Sequence, residues 1–323
     1  MASSRLSAAL DEGLLSIPET GEILVMRPPV GADLAGLPVE QVRIETGNRA
    51  EAGYWQAAGY RMGEGGAAAL ALVYLPRSKA LARALIAEAA ARAPVVAVDG
   101  PKTHGVDSLW REARKRLGEL GSDTRDHGRL FVMSPGEAMA DFAGTGPAEA
   151  EDGWFRQPGI FSEDKIDRGS ALLAEALPPK LPSRMADFGA GWGYLSRAIL
   201  ERRGVEALDL VEAEALALDC ARLNVTDPRA SFLWEDVTTF TAPEAYSGIV
   251  MNPPFHSGRA GDPGLGQAFI AAARRNLTAG GQLWLVANRH LPYEAALDAA
   301  FSRVEDIGGD TAFKLFRATR PRR

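Results

Sequence analysis

The run Ile249-Val250-Met251 is apolar and β-branched until Asn252-Pro253-Pro254-Phe255 cuts it off. Proline removes a backbone donor and pushes the residue before it out of the helical region. Asn252 is therefore expected extended at the lip of a buried strand, its carboxamide aimed into the cleft beyond. Asn252 brings a side-chain oxygen, Pro253 a carbonyl, and Phe255 a flat apolar face. Two oxygens suit an exocyclic amine, which donates two hydrogens while its ring stacks on the phenyl. Alone, the stretch reads equally well as a proline-rich turn closing a strand.

A second set lies upstream. Asp187-Phe188-Gly189-Ala190-Gly191-Trp192-Gly193 spans a strand end, a turn and a helix start. Glycines let the chain turn tightly and a ligand approach the backbone. The spacing is Gly-x-Gly-x-Gly, since Gly193 falls one residue early for a dinucleotide loop. About twenty residues on, the next strand ends in Glu212, where a carboxylate can accept from ribose hydroxyls. The third strand ends at Asp236, beside Phe232 and Trp234, placed to accept from an adenine amino group.

Such residues must be delivered by strand ends. The second half reads as β-α repeats: a helix before Pro178-Pro179, then strands at Arg184–Phe188, Leu208–Val211, Ser231–Trp234 and Ile249–Met251. Gln282–Ala287 follows as a further strand, and Phe313–Ala318 as a final edge strand. The first half alternates likewise, with strands at Glu22–Met26, Ala69–Tyr74 and Val95–Val98, but no glycine loop follows the first of them. The fold class is α/β with mostly parallel sheets, which bind ligands at the carboxyl ends of their strands. The small, acidic and turn-forming residues up to 157 read as a linker, placed at 146–157 between units of 1–145 and 158–323.

Bulk composition narrows the classes. The 323 residues suggest about two domains. Lys and Arg number 16 against 19 Asp and Glu in residues 1–150, and 20 against 23 in the remainder, for a net charge of −6. That balance argues against gripping long duplexes by phosphate neutralisation. One cysteine, Cys220, and four histidines without ligand spacing predict no metal site and no disulfide. The leading MASSRLSAALDEGLL carries acids early, unlike a signal peptide, and no run reaches the ~18 apolar residues of a membrane helix. A cytoplasmic protein is expected.

The second half resembles the class I S-adenosylmethionine-dependent methyltransferases with an Asn-Pro-Pro-Phe motif, and more narrowly the RsmC/RlmG-like ribosomal RNA guanine 2-amino methyltransferases. The resemblance is carried by Pro158-Gly159-Ile160-Phe161-Ser162, Asp167-Arg168-Gly169-Ser170, Asn252–His256, Val286-Ala287-Asn288 and Gly309–Ala318. Tyr74–Lys79 and Gly105–Ser108 extend it weakly into the first half. It implies two tandem Rossmann-like methyltransferase domains, the first degenerate and devoted to RNA recognition or structure, the second catalytic. It implies S-adenosyl-L-methionine held by Phe161, Asp187, Gly189, Ala190, Gly191, Gly193, Glu212, Asp236 and Asn252. Asn252, Pro253, Pro254 and Phe255 would carry the chemistry, on ribosomal RNA or a ribosomal subunit, as a monomer. Trp192 departs from the smaller residues common at its position.

The residues themselves leave the acceptor open: a guanine amine, an adenine amine and a protein glutamine amide each present a planar nitrogen with two hydrogens. A non-catalytic adapter that binds RNA or ribosomal protein and keeps a vestigial pocket is the reading of a different class, and donor binding separates it.

Overall fold

The structure, a computed structural model, describes residues 4–254 and 263–323. Phe255 therefore lies outside the described residues. The chain forms two compact units, Met1–Gly146 and Pro147–Arg323.

In the first unit, α1 (Arg5–Asp11) precedes β1 (Ile23–Met26), β2 (Val42–Glu45), α2 (Arg49–Ala57), β3 (Arg61–Met62) and β4 (Leu70–Tyr74). Then come α3 (Lys79–Arg92), β5 (Val96–Pro101), α4 (Val106–Leu117), β6 (Ser122–Asp123) and β7 (Gly128–Met133). Strand order is β3-β2-β1-β4-β5-β7-β6, parallel from β3 to β5, with β7 antiparallel to β5 and to β6.

The second unit opens on a short hairpin, β8 (Ala148–Glu149) and β9 (Phe155–Arg156). It continues through α5 (Arg168–Ala176), β10 (Arg184–Phe188), α6 (Tyr194–Leu200), β11 (Ala207–Glu212), α7 (Ala215–Asn224) and β12 (Ala230–Trp234). β13 (Tyr246–Met251), α8 (Pro263–Asn276), β14 (Leu277–Asn288), α9 (Glu294–Ala300), β15 (Phe301–Gly309) and β16 (Phe313–Pro321) complete it. Its order, β12-β11-β10-β13-β14-β16-β15, repeats that of the first sheet position for position. Alternate strand residues serve two cores. Ala186, Phe188, Ile249 and Met251 pack with Phe269 and Ile270 of α8, whereas Met185, Leu208, Leu210 and Val250 pack with Leu173, Leu195 and Ile199. Burial on both faces is why these strands read as continuous apolar runs.

Equivalent positions differ in chemistry. Arg27 follows β1 as Gly189 follows β10, each with positive φ (51° and 74°) and each donating its N–H to the neighbouring strand. Register places Val73 beside Met26 as Met251 stands beside Phe188, so Tyr74 occupies the first unit's counterpart of Asn252. A buried Asp99 carboxylate is paired with Arg5 at 2.5 Å nearby. The first sheet thus keeps the topology of the second while an arginine stands where the glycine turn begins.

Two expectations change. Phe313–Pro321 is not the edge: it runs antiparallel between β14 and β15, and Phe301–Gly309 is the outer strand. That segment carries Arg303, Glu305 and Asp306, the charges by which edge strands resist pairing and which hide them in a sequence. Residues 146–157, expected as linker, include the β8–β9 hairpin. Asn224 of α7 ties it down, accepting from Phe155 N–H at 2.8 Å and donating to the Phe155 carbonyl at 2.9 Å.

Candidate active site

Strand order in the second sheet reverses between the parallel neighbours β10 and β13, the switch point where open α/β sheets bind ligands. A cleft opens there, lined by Phe161, Ser162, Asp167, Ser170, Gly189–Trp192, Tyr194, Leu195 and Asn252.

Gly191 has φ 55° and no heavy atom within 4 Å of where a Cβ would stand, so the loop leaves open room. Gly193 serves differently. Its φ is 93°, and a Cβ there would meet Val225 at 2.8 Å, so this glycine lets α6 close on α7 and does not line the cleft.

Trp192 is 3% exposed. Its indole N–H donates to the Phe161 carbonyl at 3.1 Å, and its ring meets Trp154 and Tyr194 edge-on at 5.0 and 5.7 Å. The large residue thus pins the Phe161 segment beside the glycine loop, where Phe161 itself stays 53% exposed.

Alternation along β10 and β11 puts Asp187 and Glu212 on the same face as Met185 and Leu210. Asp187 has no exposed surface; one carboxylate oxygen accepts from the Ser196 hydroxyl at 2.6 Å and Oδ1 has no partner. Burial, with the nearby Glu212 charge adding, pushes the Asp187 carboxyl up to about 7. Glu212 closes the loop: Oε2 accepts from Gly191 N–H and Oε1 from Glu214 N–H, both at 2.8 Å. Burial raises its pKa too, against those two amides.

Asn252 stands half-buried at the end of β13. Its amide nitrogen donates to Asp167 Oδ2 at 2.9 Å and to Ser170 Oγ at 2.8 Å. The following Pro253 is buried and Pro254 exposed.

Of the residues expected from sequence, the cleft gathers Phe161, Gly189, Ala190, Gly191 and Asn252. Asp187 lies buried below it and Glu212 one hydrogen bond behind Gly191. Asp236, beyond the end of β12, accepts from the Thr238 N–H at 2.9 Å and hydroxyl at 2.8 Å and does not line the cleft. Trp234, expected beside an adenine, donates its indole N–H to the Ala213 carbonyl. Sequence reasoning gave no role to Asp167 or Ser170; a Ser/Thr/Asp/Asn three residues ahead of a helical serine signals a cap, but not a contact with a strand far along the chain.

These groups fit a cationic nucleoside donor such as S-adenosylmethionine. A helix N-terminus attracts phosphate, but two carboxylates beside the same loop repel it and favour a positive ligand. The orphaned Oδ1 of Asp187 and the open space at Gly191 mark where such a group has acceptors and room.

Comparison with known proteins agrees. The family described as methyltransferase small domain matches residues 153–317. The ribosomal RNA small subunit methyltransferase C of Pseudomonas paraeruginosa (strain DSM 24068 / PA7) is 32% identical over 79% of this chain and 80% of its own. That of Shewanella halifaxensis (strain HAW-EB4) is 30% identical over 76% and 75%. Among solved structures, the T. thermophilus 16S rRNA N2 methyltransferase RsmC, in complex with AdoMet and guanosine, is similar with a TM-score of 0.80. Its identity is 26%, covering 94% of this chain and 90% of that one.

Proposed function

The chain belongs to the methyltransferase small domain family and, within it, to the RsmC-like ribosomal RNA methyltransferases, and on that premise we propose that it methylates the exocyclic amine of a guanine in small-subunit ribosomal RNA, using S-adenosylmethionine. When bound, the donor supplies an electrophilic methyl on a sulfonium. The observation that carries the reading is the fixed Asn252 carboxamide at the switch point, beside the glycine loop and its two acids.

The chain's own residues orient and desolvate. Asn252 Oδ1 and the Pro253 carbonyl accept the two hydrogens of the acceptor amine, which turns the nitrogen lone pair toward the donor side of the cleft. Phe255 stacks on the base. No strong base is required, because the neutral amine attacks with its own lone pair and the strongly acidic ammonium that results gives its extra proton to water. Asp187, Glu212 and Gly189–Gly191 hold the donor's polar groups, and Phe161 covers it. Asp236 belongs to this set through its second carboxylate oxygen, offered to the donor's exocyclic amine, the first oxygen being engaged by Thr238.

The first unit, with Arg27 in place of the loop glycine, serves RNA recognition or support of the second unit. The protein acts as a monomer in the cytoplasm. Among the described residues no helix is long and apolar enough to cross a membrane.

The test is transfer of labelled methyl from S-adenosylmethionine to small ribosomal subunits and to naked 16S rRNA, with nucleoside digestion. N2-methylguanosine as the labelled product supports the proposal. Label in adenosine or in protein glutamine, or donor binding without transfer to any acceptor, overturns it.

A further inference from the structure

The geometry points to Asp167 and Ser170 as positioning residues that lock the Asn252 carboxamide and so decide which acceptors the site takes, an inference that rests on the amino-methylation reading above. A carboxamide is nearly symmetric in shape, and half a turn about its last bond exchanges acceptor for donor. Free to rotate, Asn252 would present either end to a ligand. Its amide nitrogen instead meets Asp167 Oδ2 at 2.9 Å and Ser170 Oγ at 2.8 Å. A carboxylate only accepts, so the atom facing Asp167 must be the nitrogen. Both amide hydrogens are then engaged within the protein, and the oxygen is the end left for a ligand.

The residue next along the chain, Pro253, has a carbonyl and no N–H. This lip of the cleft therefore offers acceptors. It suits an amino group, whose two hydrogens meet two oxygens, and rejects a carbonyl or unprotonated ring nitrogen, whose lone pairs would face oxygen lone pairs. Selection of amines over other nucleophilic positions of a base is thus set by two residues that act through the Asn252 carboxamide.

The lock is itself held. Asp167 caps α5, its Oδ2 accepting from Ser170 N–H at 2.8 Å, and Ser170 is 8% exposed. Gly169 between them lets α5 close on β16, since a Cβ there would stand 2.9 Å from the Phe313 ring. The carboxamide at the end of β13 is therefore oriented from a helix start that is anchored on another strand of the same unit.

Ser170→Ala removes one of the two holds and leaves the capping N–H in place, so the fold is retained, which thermal melting verifies. The expected result is a fall in kcat of about 10- to 100-fold, as for a misoriented reacting group, with unchanged affinity for S-adenosylmethionine by calorimetry. Asp167→Leu should fall at least as far, whereas Asp167→Asn, which still offers one oxygen to the cap and to the carboxamide, should recover most of the activity. An independent reading comes from the side-chain NH2 of Asn252 by NMR: both hydrogens exchange slowly with solvent in the wild type, whereas in Ser170→Ala the hydrogen that loses its acceptor exchanges faster and shifts upfield. Wild-type kcat in folded Ser170→Ala and Asp167→Leu overturns the lock while amino-methylation stands. A wild-type protein that transfers no methyl to any amine overturns both.

Discussion

Replacing Asp187 with Asn removes a carboxyl whose ionisation the fold opposes. Burial, with the Glu212 charge adding to it, moves the group from 3.8 up to about 7, against the Ser196 hydroxyl and N–H that favour the charged form. A shift of about three units, at about 1.36 kcal/mol each, amounts to roughly 4 kcal/mol against the ionised state. The folded pKa is raised, so between pH 3.8 and about 7 the native chain holds a proton that the unfolded chain has lost. Stability from this group therefore falls as pH rises through that window and levels off above it. Asn keeps an oxygen for the Ser196 hydroxyl and never ionises. The variant should gain on the wild type by about 2 to 3 kcal/mol between about pH 5 and about pH 8.5. Urea unfolding of the full chain at both values measures this, read as variant minus wild type so that the first unit's contribution cancels. A difference that does not change with pH, or a wild type that gains on the variant at high pH, refutes the reasoning.

Two further substitutions probe the loop. Trp192→Phe keeps an aromatic ring but loses the bond to the Phe161 carbonyl, worth about 1 kcal/mol; S-adenosylmethionine should bind roughly fivefold more weakly by calorimetry, with kcat at saturation little changed. Gly193→Ala must accept a φ of 93° and a methyl 2.8 Å from Val225, and should cost about 2 to 4 kcal/mol in the melting of the second unit.

The strand ends were legible because glycine and proline mark them locally. Gly189 and Pro253 stop β10 and β13 where the apolar runs predict, and alternation alone puts Asp187 and Glu212 on one face. What local pattern could not supply was contact at a distance. Asn252 meets residues 85 and 82 positions earlier, a consequence of strand order and of α5 docking that no window of sequence contains. The hairpin at 148–156 looked like linker because its polar, turn-forming residues carry no period; Asn224 of α7 is what organises it. Asp236 was expected at the end of the third strand, but β12 stops at Trp234 and the turn that follows engages one of its carboxylate oxygens, the usual competition of a short acidic side chain with nearby backbone. In the first unit the missing glycine loop was visible, and Arg27 in a left-handed conformation is its structural counterpart.

Asn252→Ala tests the central claim most directly when one preparation is assayed twice, by calorimetry with S-adenosylmethionine and by labelled methyl transfer to ribosomal RNA. Donor affinity should stay close to wild type while transfer falls by about 100-fold or more, because the amine loses the oxygen that aims it. Transfer at the wild-type rate would contradict the account.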